Sequence, residues 1–203
     1  MALGLTVTAC SSGSDEEAAH GQSVSEVCGG FAAEPVEASA LGAIAGKDAR
    51  LTSGGSEPDR VVSELRKAAR TPQSGKQRMK GVPFCVLETA GNERNVLSIT
   101  VREALAVPGN EGVKELATFY STGRRASSSD LFASIYFRCR LAAPAHEIVL
   151  DAELERADEN EADHAGIRDE QITLANAAAR HVAARLGCAD TGLVDGVPGK
   201  ARP

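Results

Sequence analysis

The residues of this chain that are best suited to covalent or metal chemistry are its five cysteines. They are Cys10, Cys28, Cys85, Cys139 and Cys188. The last four lie roughly 50 residues apart from one to the next, and no two of them have the short spacing that structural zinc sites use. A reactive thiol would need a cationic setting and a partner histidine, and nothing in the sequence marks one. These last four form an even set of widely spaced cysteines, which predicts disulfides.

Four cysteines allow three pairings. We favour Cys28–Cys85 with Cys139–Cys188, because these pairs close successive loops and match the two-part order of elements described below. In the chain-entropy model each such loop would stabilise the fold by about 4 kcal/mol. Aromatic residues make up only 3% of the chain and tryptophan is absent, so a core of small side chains would gain from these bonds.

No other group of residues forms a recognisable catalytic or ligand-binding pattern. The four histidines lack metal-ligand spacing; they are His20, His146, His164 and His181. The acidic stretch 158–163, followed by Gly166 and Glu170, does not fit the register of a calcium loop. We therefore predict no catalytic residue, no cofactor and no metal, and the chain is not expected to be an enzyme.

Three further stretches suggest chemistry only superficially. Ser127-Ser128-Ser129-Asp130 contains serines but no G-x-S-x-G elbow, so we interpret it as a polar loop. Gly54-Gly55 lacks a Walker or dinucleotide pattern. The basic stretch 73–80, with Lys76, Arg78 and Lys80, could be a binding loop, but a solvated loop is the favoured interpretation.

The first residues resemble those of bacterial lipoproteins. An apolar segment ends in Val7-Thr8-Ala9-Cys10 and is followed at once by Ser, Gly, Asp and Glu residues, which is similar to a lipobox and its tether. The resemblance implies that residues 1–9 are the remnant of a signal peptide, that Cys10 carries lipid, and that residues 10–22 form a flexible spacer. The alternative is a polar tail in which a cysteine occurs by chance.

The whole chain also resembles the small secreted lipoproteins of high-GC Gram-positive bacteria, in its Ala-, Gly- and Arg-rich composition and its four remaining cysteines. That resemblance implies a location on the outer face of the cell membrane and a role as a binding or accessory module. The net charge of −6 and the scattered basic residues disfavour nucleic acid and attachment to the membrane by charge. The expected partners are therefore the membrane, through a lipid anchor alone, and an envelope protein or a small ligand.

Periodicity predicts an alternation of helices and hairpins. Helices are expected from Pro35 to about Ala45, from a Ser56 cap to before Pro72, and from Ile167 to Leu186 with Gly187 as the C-cap. Strands are expected in two hairpins, Val82–Glu88 with Asn95–Glu103 and Leu131–Leu141 with Glu147–Arg156. The region 106–129 is expected to be mostly loop, with 116–120 a short strand or a helical turn.

These elements predict an α+β domain over residues 23–190. Its two similar halves, 23–104 and 113–190, would each pack helices on an antiparallel hairpin or sheet stapled by a disulfide. On the second hairpin, Asp151 and Glu153 share an outer face and are expected to pair with Arg138 and Arg140. Residues 191–203 are expected to be a disordered tail.

Three classes of function fit this description. The first is a non-enzymatic surface module that binds a small molecule, a wall component or a protein. The second is an envelope enzyme with a site assembled from scattered residues, and the third is a structural or interaction protein that uses an exposed sheet face.

Overall fold

The computed structural model describes residues 21–71, 80–91, 93–111, 115–157 and 164–201, with the backbone alone for residues 164 and 165. Cys10, His20 and the stretches 72–79 and 158–163, on which several predictions fall, lie outside these ranges. The described chain contains a 3-10 turn (Val27–Gly29) and three α-helices, α1 (Pro35–Ala45), α2 (Pro58–Ala68) and α3 (His164–Leu186). Its seven strands are β1 (Leu51–Ser53), β2 (Val82–Thr89), β3 (Asn95–Ala104), β4 (Thr118–Tyr120), β5 (Arg125–Ser128), β6 (Phe132–Cys139) and β7 (Ile148–Arg156).

The seven strands of the described residues form one antiparallel sheet in the order β1-β2-β3-β7-β6-β5-β4. Both predicted hairpins are present, and they meet through their second strands, β3 and β7. α3 packs along β5, β6 and β7, while α2 packs on β2 and β3 and α1 packs on α3. The predicted α+β class is therefore confirmed. No helix in the described part of the chain is long and apolar enough to span a bilayer.

The alternation of the strands sets the two faces of the sheet. Ile99 and Val101 of β3 and Leu150 and Leu154 of β7 are fully buried beneath the helices. The intervening residues point to the opposite face of the sheet. The three helices do not pack on that face, so apolar side chains there would gain little from burial. That opposite face, termed here the open face, carries the polar residues of the central strands.

The two disulfides have the pairing that we favoured. Cys28 bonds Cys85 with a Cα–Cα distance of 5.4 Å, and Cys139 bonds Cys188 at 4.7 Å. A register shift after Pro83 marks a bulge in β2, and Phe84 and Cys85 beside it are both fully buried. The bulge turns Cys85 towards the 3-10 turn that holds Cys28. Two such bonds indicate an oxidising, extracytoplasmic environment.

The end of α3 positions the second disulfide. Gly187 has a φ of 79°, a conformation that glycine adopts without steric penalty. Its N–H donates to Ala184 O at 3.2 Å, and the N–H of Cys188 donates to Ala183 O at 2.9 Å. This is the Schellman geometry, so Gly187 is the C-cap that the sequence predicts, and it directs Cys188 back to the end of β6.

The chain after α3 does not form the disordered tail expected from residue 191. The N–H of Gly123 donates to Gly192 O at 2.9 Å, and the N–H of Ser121 donates to Gly199 O at 2.8 Å. Asn176 of α3 donates to the carbonyl of Val194 at 2.8 Å. The expectation therefore fails for residues 191–201, because β4, its following turn and α3 supply the hydrogen bonds that a Gly- and Pro-rich segment cannot make within itself.

Two local predictions also need correction. Ser56 does not cap α2, whose N-cap is Glu57 without a side-chain hydrogen bond. Instead the Ser56 hydroxyl accepts a hydrogen bond from the N–H of Val86 at 2.9 Å and fixes the loop to β2. β5 lies in the region predicted to be mostly loop. Its Arg and Ser residues lack a strand pattern, and pairing with β6 and β4 stabilises them as a strand.

Candidate functional site

Four residues of the open face lie side by side across four strands. Arg102 of β3 is in register with Asp151 of β7. Asp151 is in register with Tyr136 of β6, and Tyr136 with Arg125 of β5. We term these four residues the charged row. Their outward orientation follows from the same alternation that buries the core residues between them.

Asp151 is at the centre of the charged row and is completely buried. Its Oδ2 atom accepts hydrogen bonds from Arg102 Nε at 3.1 Å and from Arg102 Nη2 at 2.8 Å. Its Oδ1 atom accepts a hydrogen bond from the Ser134 hydroxyl at 2.8 Å. Arg102 Nη2 also donates to Glu153 Oε2 at 3.1 Å. A buried carboxylate is tolerated only when it is paired and hydrogen-bonded in this way.

The electrostatics of the charged row fix its protonation. Burial works against the charge of Arg102, but the carboxylates of Asp151 and Glu153 outweigh it, so the pKa of Arg102 is raised. Burial, together with the negative charge of Asp151, raises the pKa of Tyr136. Arg102 therefore stays a cation and Tyr136 stays a neutral hydroxyl at neutral pH.

A pocket of about 550 Å³ lies above one end of the charged row. It is lined by Lys80, Gly81, Arg102, Glu103, Ala104, Leu105, Ala106, Pro108, Tyr136 and Asp151. The segment after β3 forms one wall and is tied to β5, since Arg125 Nε donates to Asn110 Oδ1 at 2.8 Å. We term this cavity the open-face pocket.

Gly81 allows the opposite wall of the pocket to lie close to β3. A Cβ atom at this position would come within 2.3 Å of Thr100 Cγ2, so a larger residue would force either the Thr100 side chain or the chain that carries Lys80 to shift. The wall, like the floor, is therefore fixed by contacts within the fold.

A larger cavity, of about 690 Å³, lies between α1 and residues 47–50. Ala, Ser and Gly residues make up much of its lining, and its charged groups are the exposed side chains of Lys47, Asp48 and Arg50. It has no buried, hydrogen-bonded charge of the kind found at Asp151. We therefore place the candidate site at the open-face pocket, where the polar groups are held in fixed positions.

The structure does not bring the histidines into this site. His146 begins the approach to β7, where its N–H donates to Ala69 O at 3.0 Å. His181 packs against Phe84 on the helix side of the sheet, and only the backbone of His164 is described. Within the described residues there is no group of three His, Cys, Asp or Glu side chains that could hold a metal ion.

The serine stretch has a structural place in the fold. Ser127 and Ser128 belong to β5 and are buried. Asp130 follows them in the turn before β6, where it forms an ion pair with Arg168 at 2.7 Å and its carbonyl accepts from Gln171 at 2.9 Å. These contacts fasten the turn to α3.

The expected pairing across the second hairpin is wrong. Arg138 and Arg140 both face Glu147, at 3.5 Å and 3.7 Å, whereas the partner of Asp151 and Glu153 is Arg102. Arg138 is in register with Val149, and Asp151 is in register with Tyr136. Arg102 lies 49 residues before Asp151, so only the pairing of β3 with β7 brings it into the site. The one sequence signal was its position on the polar side of an alternating strand.

No family model, curated protein or solved structure matches this chain. The case for a function therefore depends on the residues of the open-face pocket.

Proposed function

We propose that this protein is a lipid-anchored, extracytoplasmic binding module that takes a small, uncharged, hydroxyl-rich ligand, such as a saccharide unit of the cell wall, in the open-face pocket. The observation that carries the proposal is the buried, fully hydrogen-bonded Asp151 beneath a pocket on the polar face of the sheet. Nothing in the packing of the core requires a charge at this position. A buried carboxylate here fits a role in holding Arg102 in place for a ligand.

The charge of the pocket supports an uncharged ligand. Lys80 and Arg102 are balanced by Glu103 and Asp151 among the lining residues. A net charge near zero gives no preference for an anion or a cation. The four charged side chains do supply fixed hydrogen-bond donors and acceptors at short range, which is what a ligand with several hydroxyl groups needs.

The protonation states support binding over acid–base catalysis. A general acid or base needs a pKa near the working pH, but the pKa shifts of Arg102 and Tyr136 both move away from neutrality. Tyr136 can donate its hydroxyl hydrogen and accept through its oxygen without changing charge. The volume of the pocket is also in the usual range for small-ligand sites.

Two tyrosines provide a matched test of this site. Tyr136 lines the pocket, whereas the Tyr120 hydroxyl donates to Asp169 Oδ1 at 2.5 Å on the helix side. We expect a wall-derived oligosaccharide to bind the wild type in isothermal titration calorimetry. Tyr136→Phe should weaken this binding about tenfold, the effect of one lost hydrogen bond to a ligand.

Tyr120→Phe is the control, because it removes the same atom outside the pocket. It should lower the melting temperature and leave affinity unchanged. Equal affinity in Tyr136→Phe and the wild type would place the ligand elsewhere. Turnover of the oligosaccharides, abolished by a single pocket substitution, would replace the binding proposal with an enzymatic one.

The lipid anchor is part of the same proposal. Cys10 lies outside the described residues, and the support for its modification is the lipobox-like sequence together with the pairing of the other four cysteines, which leaves Cys10 as the odd one. A diacylated cysteine would hold the protein durably at a membrane. Mass spectrometry of the protein from a lipoprotein-competent bacterium should find a diacylglyceryl group on Cys10, and an unmodified Cys10 would remove the anchor from the proposal.

We also propose that the two hairpins are related by duplication. Each has its half-cystine on the first strand, Cys85 in β2 and Cys139 in β6, and the sheet joins them through the second strands. The helices are arranged differently, since α1 and α2 precede the first hairpin and α3 follows the second. Superposition of β2–β3 on β6–β7 with the two cysteines aligned is the direct check.

A further inference from the structure

A second surface of the molecule lies where the end of α3 packs along α2. It is a groove of about 570 Å³, separate from the open-face pocket, and we term it the basic groove. Its lining residues are Asp59, Val62, Ser63, Arg66, Lys67, Arg70, Thr71 and Arg185.

The basic groove concentrates positive charge in a chain whose net charge is −6. Four of its lining residues are Arg or Lys and one is Asp. That carboxylate is already engaged, because Asp59 Oδ1 accepts from Arg185 Nη2 at 2.5 Å. Arg185 in turn offers its backbone carbonyl to Arg66 Nη2 at 2.6 Å, which fixes the Arg66 guanidinium at the end of α3. The groove therefore has a surplus of three positive charges.

Lys67 and Arg70 carry the part of this charge that remains available. Both side chains are exposed, and neither has a carboxylate partner within the described residues. Basic residues at the end of a helix interact favourably with its dipole, and the contact of Arg66 with a helix-end carbonyl is of this kind. The dipole alone does not require cations from two helices to converge on one groove with the exposed hydroxyl of Ser63. The Thr71 hydroxyl is already donated to Lys67 O at 2.9 Å.

The groove and the N-terminal end of the described chain are at opposite ends of the sheet. Gln22 pairs with Leu51, which is in register with Thr89 at the end of β2. The end of α2 lies at the other end, since Ala69 O accepts from the N–H of His146 just before β7 begins. The strands between these ends extend for about 25–30 Å.

We propose that the basic groove binds a phosphodiester-linked anionic polymer of the cell envelope. The guanidinium and ammonium groups, with the Ser63 hydroxyl, match the oxygens of successive phosphate groups. The position of the groove favours a polymer over the lipid headgroups of the membrane, because a chain anchored at Cys10 would enter the folded body at Gln22, at the end of the sheet opposite the groove. This choice between the two rests on the proposed lipid anchor, whereas the affinity for phosphate does not.

The experiment compares two double substitutions that remove equal charge from the chain. Lys67→Gln with Arg70→Gln changes the basic groove, and Lys47→Gln with Arg50→Gln changes exposed cations beside α1. Binding of fluorescent poly(glycerol phosphate) is followed by anisotropy at low and at physiological salt. We expect the first pair to weaken binding at least tenfold and to flatten the salt dependence, and the second pair to change affinity less than twofold.

A parallel titration uses vesicles that contain anionic phospholipid, with the same two pairs of substitutions. Absence of polymer binding by the wild type, or equal losses in the two pairs, would overturn the proposal. Vesicle binding that is stronger than polymer binding and is lost in the same groove variant would replace the polymer by the membrane. Both double variants retain Tyr136 and Arg102, so oligosaccharide binding in the open-face pocket can succeed or fail independently.

Discussion

At the scale of single residues, His181 shows how a buried side chain links stability to pH. Its ring lies 5.6 Å from that of Phe84, and its Nε2 atom is buried without a hydrogen-bond partner in the described part of the chain. Burial, with a smaller contribution from the charge of Arg185, lowers the pKa of His181. The folded protein therefore binds a proton here less readily than the unfolded chain does.

The sign of the effect follows from this difference. Above the unfolded pKa of about 6.5 the histidine is neutral in both states, and below it the unfolded chain gains the proton first, so stability falls as the pH drops. We predict that His181→Leu flattens the fall in melting temperature between about pH 7 and pH 5. Melting curves across this range check it, and parallel curves for the variant and the wild type would contradict it.

Only part of the candidate site was predictable from single residues, as the two carboxylates of β7 show. The alternation of β7 placed Asp151 and Glu153 on a polar face, and that placement is observed. Their partner, Arg102, was not predictable from the local sequence. The arginines of β6 that we expected are not in register with either carboxylate. A side chain pairs with whatever the register puts beside it, and the register of β3 on β7 is not a local property.

At the scale of elements, the C-terminal segment is held to α3 by a small buried network. The Thr122 hydroxyl donates to Asn176 Oδ1 at 2.8 Å and accepts from the N–H of Val194 at 3.2 Å. Asn176 also donates to the carbonyls of Val194 and Gly196. The turn after β4, α3 and the final segment are thus joined through two side chains, Thr122 and Asn176.

Thr122→Val should break this network without changing the size of the side chain. We predict a loss of about 2 kcal/mol, since a buried amide oxygen and N–H lose their partner, together with faster amide hydrogen exchange at Val194. Thr173→Val is the matched control. Thr173 is also buried, but its hydroxyl donates only to Asp169 O within α3, at 2.7 Å, so the control should cost less than about 1 kcal/mol. Similar losses and unchanged exchange at Val194 would argue against the network.

Elements with a strong internal pattern were the ones predicted best. α1 begins at Pro35 and ends at Ala45 as expected, and Gly187 ends α3 through the conformation that only glycine adopts easily. β5 and the segment 191–201 were missed, because neither has a pattern of its own. Their backbone hydrogen bonds are satisfied by strands and helices that are distant in sequence.

At the scale of the whole molecule, the two disulfides stabilise by similar amounts a core that is built from small side chains. The bonded pairs are separated by 57 and 49 residues. Because loop-closure entropy changes slowly with length, we predict that the Cys28→Ala, Cys85→Ala double variant and the Cys139→Ala, Cys188→Ala double variant each lose about 4 kcal/mol. Urea unfolding of both variants beside the oxidised wild type measures this loss. A variant as stable as the wild type would show that its bond constrains little of the unfolded chain.

The sequence by itself determined the class of the fold, the two hairpins and the favoured disulfides, because periodicity, turn residues and cysteine count are properties of the local chain. The tertiary structure decided which surfaces could bind a ligand. Sheet order brings Arg102 to Asp151, and the packing of α2 against α3 adds Arg185 to a basic stretch more than 100 residues earlier, at a separation of 119 residues from Arg66. Both sites depend on contacts between distant segments, and those contacts are set by the packing of the whole core.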